Sequence, residues 1–304
     1  MRPPPAGWPR ITAELVYADA PGAIDWLIRA FDFQRVLQVT GDAGAIVHAE
    51  LAYAGGLVLV IGEDAAGGRR RAPPSVGGKN TQNLFVYVPD VEAHCARAAA
   101  AGAVIVSPLA VSDYGDDYWA DRGYECRDPG GHHWWFAERL REGAGYRPLL
   151  DSAALGPAPP PKGWPRMSSS LLYADAAAAI DWLASALDFQ VQLRVEGEGG
   201  RIEHAELVYG GGLVMVSDAS HAGHGAARFP YRAVPATLAG ANTQSLTVYV
   251  DDVDAHHARA AAAGATILRA PQVNDHGEGY WADRSYGLVD PGGHAWWCCQ
   301  RVRG

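Results

Sequence analysis

The amino-acid sequence repeats itself, and this repeat limits the possible fold more than any other feature. The stretch PPPAGWPR at residues 3–10 returns as PPPKGWPR at residues 159–166, an offset of 156. The same offset relates further pairs, among them Tyr17 and Tyr173, Trp26 and Trp182, His48 and His204, and Glu50 and Glu206. Self-similarity over this length indicates that one structural unit has been duplicated within the chain.

The two copies differ in the length of one loop. From Asn80 onward the offset is 162, the distance to Asn242, so the second copy has gained six residues. The difference falls in a segment rich in Gly, Ala and Pro, at about 63–79 in the first half and 218–241 in the second. Because loops tolerate insertions that strands and helices do not, we expect a surface loop there and two unequal pockets.

The repeat and a Pro-rich stretch divide the chain into domains. We expect a first domain at residues 8–140, a linker at 141–163 and a homologous second domain at 164–302. Hydrophobic residues make up 48% of the chain and charged residues 19%, which is ordinary globular usage. This composition is sufficient for a core in each half.

Each half is typical of two similar modules, each with one strand, one helix and three strands. ITAELVYA alternates as a strand does, and Asp19 then stands where a helix cap is expected. The helix of the next module is predicted to begin after Asp90 and to end at Gly102. Histidines on these second helices are expected to be exposed: His94, His256 and His257.

The segment that closes each half resembles a known family. It runs RDPGGHHWWF at residues 127–136, follows a YWADR stretch, and recurs as DPGGH at residues 290–294. With the βαβββ order, this resembles the vicinal oxygen chelate superfamily, which includes glyoxalase I, extradiol dioxygenases and bleomycin resistance proteins. The resemblance implies an α+β fold with two tandem domains, each of paired βαβββ modules forming a cupped mixed sheet.

The turn in this segment also has a structural interpretation. Asp side chains accept bonds from nearby amides, Pro fixes φ, and Gly tolerates positive φ between two strands. We therefore expect turn and packing roles, with ligand contact as the alternative, for four residues: Asp128, His132, Asp290 and His294.

In metal-using members of that superfamily, His, Gln or Glu side chains converge in the cup and leave a coordination position open. The fourth strands, at residues 57–61 and 213–216, are apolar here. The other matching positions hold Thr12 and Ser168, Asn83 and Ser245, and Trp135 and Trp297. The resemblance therefore implies that this chain lacks the family's metal centre, and we expect no cofactor.

Other side chains keep a metal-dependent alternative open. His48 and Glu50, repeated as His204 and Glu206, alternate onto one strand face and could hold Ni, Zn, Fe or Mn in a rearranged centre. Such a centre would make the protein a lyase, isomerase or dioxygenase, whereas a plain polar pair would give it no such activity. A further set in the longer loop could bind adventitious metal: Asp218, His221 and His224.

Aromatic residues at candidate cup positions predict a ligand site, because ring stacking and Tyr or Trp polar groups suit planar, amphipathic molecules. These candidates are Tyr87, Tyr118, Trp119, Trp135, Tyr249, Tyr280, Trp281 and Trp297. Arg122 and Arg284 either hold a polar group of the ligand or form structural ion pairs. Three further rings alternate to the opposite face, where we expect core packing: Trp134, Phe136 and Trp296.

The hypothesis that follows is metal-free sequestration of a small aromatic or amphipathic compound such as an antibiotic, without catalysis. The competing hypotheses are the metal-dependent enzyme and a structural module without a ligand. The halves are expected to pack as a pseudo-twofold pair in a monomer, or in a homodimer. Whether each half closes its own cup or exchanges modules with the other stays open.

Composition and charge exclude several other partners. The net charge of -9 gives no overall attraction to nucleic acid, and no apolar run is long enough to span a membrane. The N-terminus lacks an apolar signal segment, so a cytoplasmic location is expected. The four Cys residues are too sparse for a disulfide framework and are expected to be reduced, mostly buried thiols. The basic run at residues 69–71 is typical of a solvated loop, or could steer an anionic ligand.

Overall fold

A computed structural model of the chain describes residues 1–64, 67–156, 159–219 and 229–304. Four modules follow one another, each with the order strand, helix and three strands, which confirms the α+β prediction. The first half contains β1 (Ile11–Tyr17), α1 (Ala20–Phe31), β2 (Gln34–Thr40), β3 (Ile46–Tyr53), β4 (Gly56–Gly62), β5 (Gln82–Tyr87), α2 (Val91–Ala100), β6 (Val104–Asp113), β7 (Ala120–Arg127) and β8 (His133–Arg141). The second half contains β9 (Met167–Tyr173), α3 (Ala176–Leu187), β10 (Gln190–Glu196), β11 (Ile202–Tyr209), β12 (Gly212–Asp218), β13 (Gln244–Tyr249), α4 (Val253–Ala262), β14 (Thr266–Asp275), β15 (Ala282–Val289) and β16 (Ala295–Arg303).

The modules pair between the halves and form two mixed sheets of eight strands. One sheet has the order β14-β15-β16-β13-β1-β4-β3-β2, so it joins the first and last modules, and we call it the end sheet. The other has the order β10-β11-β12-β9-β5-β8-β7-β6, so it joins the two middle modules, and we call it the middle sheet. The open question of module exchange is thereby answered, since neither half builds a sheet by itself.

The four helices lie between the two sheets. Helices α1 and α4 contact strands of the end sheet, α2 and α3 contact strands of the middle sheet, and helices of the same half pack together. One continuous core results, with side chains from both halves, in place of a separate core in each. The face of each sheet that points away from the helices is called its cup: the end cup and the middle cup.

The seam of each sheet joins two modules by antiparallel pairing, β1 with β13 and β5 with β9. Near both seams, Thr81 and Thr243 exchange bonds, each backbone N–H donating to the other's Oγ1 at 3.0 and 3.1 Å. Gln82 and Gln244 likewise donate their side-chain amides to each other's carbonyl oxygens. These reciprocal bonds lie on the pseudo-twofold axis that relates the two halves.

Helix ends follow the sequence signals. Asp19 Oδ1 accepts a bond from the Gly22 amide at 3.0 Å, and Asp90 Oδ1 accepts one from the Ala93 amide at 2.9 Å. Gly102 follows α2 with φ of 93°, a conformation that costs glycine little. The predicted helix starts and this stop are confirmed.

The expected exposure of two helix histidines is wrong. His94 and His256 are buried, and their Nδ1 atoms lie 2.7 Å from the hydroxyls of Tyr124 and Tyr286. Burial lowers the pKa of His94 to about 3 and that of His256 to about 4, so both rings are neutral at pH 7. The short helices turn this face inward because α1 and α3 pack across them. His257 is partly buried.

The Asp-Pro-Gly-Gly-His turns hold the helix faces of the sheets in place. Asp128 accepts bonds from the Tyr17 hydroxyl at 2.6 Å and from the Trp134 indole N–H at 2.9 Å. The His132 ring lies 2.8 Å from the Val16 carbonyl oxygen. Asp290 and His294 make the matching contacts in the other half. The structural interpretation of these turns is therefore confirmed.

The opposite-face rings and the cysteines are also where the sequence places them. Trp134, Phe136 and Trp296 are buried in the shared core. Cys126 and Cys298 are buried, while Cys95 and Cys299 are partly buried, and all four are free thiols. Across the described part of the chain, no helix has the length and apolar character that crossing a membrane requires.

Candidate functional site

The middle cup holds a cavity of about 630 Å³. Its floor is the seam of the middle sheet, where Asn83 lies opposite Ser170 and Phe85 lies opposite Ser168. Successive strand residues point to opposite faces, so these four side chains share the face away from the helices. The floor therefore places small polar groups beside an aromatic ring.

Aromatic rings form much of the cavity wall. They are Phe85, Tyr87, Tyr114, Tyr118, Trp119, Trp135, Trp164, Phe229 and Tyr231. The structure thus brings together four of the ligand-binding candidates: Tyr87, Tyr118, Trp119 and Trp135. Arg122 lies outside the cavity, because its guanidinium pairs with Glu92 of α2 at 2.9 Å.

The linker closes one side of the middle cup. Tyr146 and Leu150 of the linker, and Trp164 directly after it, are buried there together with Trp119 and other cup residues. The Trp119 ring centroid lies 4.9 Å from that of Tyr146 and 5.8 Å from that of Trp164. This contact could not be predicted from the sequence, because a Pro-rich composition indicates a linker and not where it packs.

The linker also completes a polar contact. The Tyr146 hydroxyl donates to Glu206 Oε2 at 2.7 Å, and the Gln192 amide donates to the same oxygen at 2.9 Å. Glu206 is buried, so each of these donors compensates a carboxylate that has lost its water. Burial and the nearby Glu206 carboxylate raise the pKa of Tyr146 well above its usual range.

An arginine that we did not single out from the sequence supports the aromatic wall. The Arg139 Nε donates to Asp121 Oδ1 at 2.6 Å, and the Tyr87 hydroxyl donates to Asp121 Oδ2 at 2.9 Å. The guanidinium carbon lies 5.2 Å from the Tyr87 ring centroid and 5.0 Å from that of Trp119. This cation–π stacking fixes both rings against the cup.

A buried polar chain lies at the other end of the cup. His133 Nδ1 lies 2.8 Å from Glu125 Oε1, and the Tyr231 hydroxyl donates to the same carboxylate oxygen. Glu125 is fully buried, and Ser107 Oγ donates to its other oxygen at 3.3 Å. Burial and the Glu125 carboxylate raise the pKa of Tyr231 well above its usual range. Tyr231 is thereby tied over the cavity as a protonated phenol.

Two polar atoms on the cup floor lack a partner. Asn83 Oδ1 and Ser168 Oγ are buried, and neither has a hydrogen-bond partner among the described residues. Asn83 lines the cavity, and its amide nitrogen lies 3.3 Å from the Tyr231 hydroxyl oxygen. A buried polar group without a partner costs free energy, so these atoms favour a ligand that offers hydrogen-bond donors.

The residues at the metal-ligand positions of the resembled family do not fit a metal centre. Both cups present hydroxyl and indole groups there, the middle cup also presents the Asn83 amide, and strands β4 and β12 contribute Leu59 and Met215 to the cup faces. These groups are poor ligands for divalent ions that prefer imidazole, thiolate or carboxylate. Among the described residues, no three His, Cys, Asp or Glu side chains form a set that could hold a metal ion.

The alternative metal ligands form separate pairs. His48 Nε2 lies 3.1 Å from Glu50 Oε1 in the end cup, and His204 Nε2 lies 3.2 Å from Glu206 Oε1 in the middle cup. Each cup therefore brings two of these four donors together. Asp218 accepts bonds from the amides of Ala176 and Ile202. His221 and His224 lie outside the described residues.

The end cup holds a second cavity, of about 530 Å³. Of its predicted ligand-binding residues, Trp297 lines this cavity. Tyr249 is buried against Asp283 and Arg301, Trp281 packs against Trp8, and Tyr280 is half exposed. Arg284 pairs with Asp254 at 2.6 Å, away from the cup.

Comparison with known proteins finds a family model that matches both halves, relatives that match less than half of the chain, and a solved structure with a similar fold over nearly the whole chain. The model of the Glyoxalase/Bleomycin resistance protein/Dioxygenase superfamily matches residues 10–136 and 169–298. An uncharacterized protein from Mycobacterium bovis is 35% identical over 137 residues, which cover 44% of this chain and 86% of that protein. The solved structure of TioX from Micromonospora sp. ML1 is 36% identical with a TM-score of 0.34, covering 42% of this chain and 97% of TioX.

One solved structure is similar to nearly the whole chain. The structure of a V278E mutant of glyoxalase I from Zea mays superimposes with a TM-score of 0.65 at 14% identity, covering 96% of this chain and 92% of that one. At this identity the likeness shows that the two chains share their fold.

Proposed function

Because this chain belongs to the glyoxalase/bleomycin resistance protein/dioxygenase superfamily, we propose that its middle cup binds a planar aromatic or amphipathic small molecule and sequesters it without a metal. The aromatic cavity above the β5–β9 seam carries this proposal. Sites for drug-sized ligands are typically concave and largely apolar, and the cavity volume of about 630 Å³ lies within their usual range.

The rings in this cavity suit a flat ligand. Trp119 and Tyr87 are held by Arg139, while Trp135 stands nearer the Phe229 ring, with 6.2 Å between centroids. Offset or edge-on contacts between such rings and a planar ligand add to the free energy of burying apolar area. An aromatic antibiotic is a compound class of this shape.

Polar groups at the floor would orient the ligand. Asn83 Oδ1 lacks a donor among the described residues and belongs to a residue that lines the cavity, so a ligand hydroxyl or amine there would gain an acceptor. The Arg232 guanidinium, which donates to Ser170 Oγ at 2.9 Å, is a donor that also lines the cavity. The expected ligand therefore combines an aromatic body with hydroxyl, amine or carbonyl groups at one edge.

Isothermal titration tests the proposal directly. Anthraquinone-type, polyketide and glycopeptide antibiotics would be titrated into the full chain purified without a His-tag. We expect at least one class to bind with a Kd in the micromolar range, roughly -8 kcal/mol. Trp135→Leu should weaken that binding at least ~10-fold, since one buried ring contributes about 1.4 kcal/mol or more.

The repeat offers a matched control. Trp297 occupies the corresponding position of the end cup, so Trp297→Leu should change the affinity for the same antibiotic less than ~2-fold. Equal weakening by both variants would contradict binding in the middle cup. Stoichiometric Ni, Zn, Fe or Mn in the purified protein, together with turnover that depends on His204 or Glu206, would replace sequestration by metal-dependent catalysis.

A further inference from the structure

The two cups differ most in one row of side chains that crosses three strands. In the middle cup, Ser107 pairs with Glu125 and Glu125 pairs with Trp135. In the end cup, the same register places Arg269 opposite Gly287 and Gly287 opposite Trp297. The duplication has thus kept the tryptophan, exchanged the carboxylate for glycine and gained an arginine.

The glycine of this row decides where the tryptophan ring lies. A Cβ atom added to Gly287 would stand 2.5 Å from Trp297 Cζ3, so a side chain at this position would displace the ring. The Trp297 indole therefore lies over Gly287 and reaches Arg269, whose guanidinium carbon is 4.7 Å from the ring centroid. This cation–π contact holds the guanidinium at the cavity wall.

Two arginines of this cavity have no carboxylate partner. Arg269 donates from Nη2 to Ser285 Oγ at 2.9 Å, and its buried Nε has no partner among the described residues. Arg69, at the rim, donates to the Gly240 carbonyl oxygen at 3.4 Å. The described residues place no Asp or Glu within 4.0 Å of either guanidinium, whereas neighbouring Arg70 is paired with Asp64 at 2.5 Å.

The matching positions of the middle cup are neutral. Arg69 and Arg269 correspond to Tyr231 and Ser107, which both hydrogen-bond to Glu125 there. The exchange of Glu125 for Gly287 also removes a negative charge. The end cup is therefore the more positive of the two at these three positions.

Two carboxyl groups line the same cavity, Glu14 on its floor and Asp64, which pairs with Arg70. Glu14 Oε1 accepts from Ser245 Oγ at 2.8 Å, and burial raises the pKa of Glu14 above its usual range. A group of raised pKa gives up its proton less readily, so an anion nearby meets weaker repulsion than beside an ordinary carboxylate.

We propose that the end cup is a second binding site, specific for a planar aromatic carboxylate, whose anionic group is bound by Arg69 and Arg269 beside the Trp297 ring. The site goes beyond the function proposed for the middle cup, since it concerns another cavity and another ligand class. Arginine suits it because the planar guanidinium binds a carboxylate through paired N–H donors.

A pair of isosteric probes tests the charge requirement. We expect 2-naphthoate to bind at least ~10-fold more tightly than 2-naphthamide by isothermal titration, and to weaken as salt is raised, because the anion is the group that the arginines recognise. Equal affinity of the two probes, or no binding of either at millimolar concentration, would overturn the proposal.

Variants locate the site. Arg269→Ser installs the residue of the middle cup and should weaken 2-naphthoate at least ~10-fold, as should Arg69→Ser, which changes an exposed rim residue and spares the fold. Arg284→Ala removes an arginine outside the cup and should leave the affinity within ~2-fold. Retained binding in both serine variants, with unchanged melting temperature, would show that the anion binds elsewhere and refute the site.

Discussion

The helix faces of the two sheets match closely, whereas their cup faces do not. On the helix face, Trp134 and Trp296 make the same bond to the turn aspartate, at 2.9 Å in both halves. On the cup face, Glu125 corresponds to Gly287 and Ser107 to Arg269. The shared core restricts what a duplicated residue can become, because close-packed interiors respond to changes of a single methylene. The cups lack that restriction and have acquired different charge.

The largest expected effect concerns Trp164, which directly follows the linker. Trp164→Ala should destabilise the protein by about 3–5 kcal/mol, the usual cost of removing a buried tryptophan, because Trp164 is 2% exposed in the middle cup. Its counterpart Trp8 is only partly buried against Tyr249 and Trp281, so Trp8→Ala should cost less. Urea denaturation of both variants measures the difference. Equal losses would mean that Trp164 contributes no more to stability than its counterpart Trp8.

The second effect should be the same in both halves, because it arises in the core. His94 and His256 keep pKa values of about 3 and about 4 when folded, below the ordinary 6.5. Between pH 6.5 and about 4 the unfolded chain binds protons that the folded chain does not. The free energy of unfolding therefore decreases as the pH is lowered. The slope should be about 1.4 kcal/mol per pH unit for each histidine.

Urea midpoints across this pH range provide the measurement. His94→Gln and His256→Gln should each lower the slope by about 1.4 kcal/mol per pH unit, because glutamine keeps an amide but does not titrate. A slope that changes in only one of the two variants would show that the two halves of the shared core differ.

A smaller loss of stability is expected from removing the hydroxyl of Tyr146, the linker residue that bonds to the middle cup. Tyr146→Phe removes one donor from the buried Glu206 carboxylate and should cost about 1–2 kcal/mol. A double-mutant cycle with Glu206→Gln isolates this bond, and we expect the two losses to be non-additive. Additive losses would mean that the hydroxyl and the carboxylate act independently.

The smallest effects concern the exposed arginine pairs. Arg122 and Arg284 bind Glu92 and Asp254 on the neighbouring helices, outside both cups. Because exposed ion pairs contribute little, Arg122→Ala and Arg284→Ala should leave the melting temperature and the ligand affinities unchanged within error. A clear loss of antibiotic or naphthoate affinity in either variant would place these arginines in a binding role.

The sequence predicted the module order, the helix caps, the turn contacts and the core rings, because each depends on local spacing or on alternation. It did not predict the burial of His94 and His256, since a short helix with a weak apolar face gives no strong orientation signal. The exchange of modules between the two halves could not be predicted from the sequence either. Two homologous copies offer the same pairing edges, so the choice of partner depends on packing over the whole molecule.

The candidate site was predicted in part. Tyr87, Tyr118, Trp119 and Trp135 were found because aromatic residues stand out at cup-facing positions. The chain of Ser107, Glu125, His133 and Tyr231 was missed, since its members come from separate segments and carry no motif. A comparison of the two halves position by position offered a signal, because Glu125 and His133 correspond to Gly287 and Ala295 in the other copy.

Module exchange within one chain has a consequence for how ligand selectivity can evolve. When two identical subunits exchange modules, every substitution appears in both composite sites at once, so the two sites remain identical. In a fused duplicate the two sites can change independently, because Glu125 and Gly287 are encoded by separate codons although their positions in the two sheets are equivalent. A single polypeptide can thereby carry two unlike pockets on one scaffold, and a substitution in one pocket leaves the other unchanged.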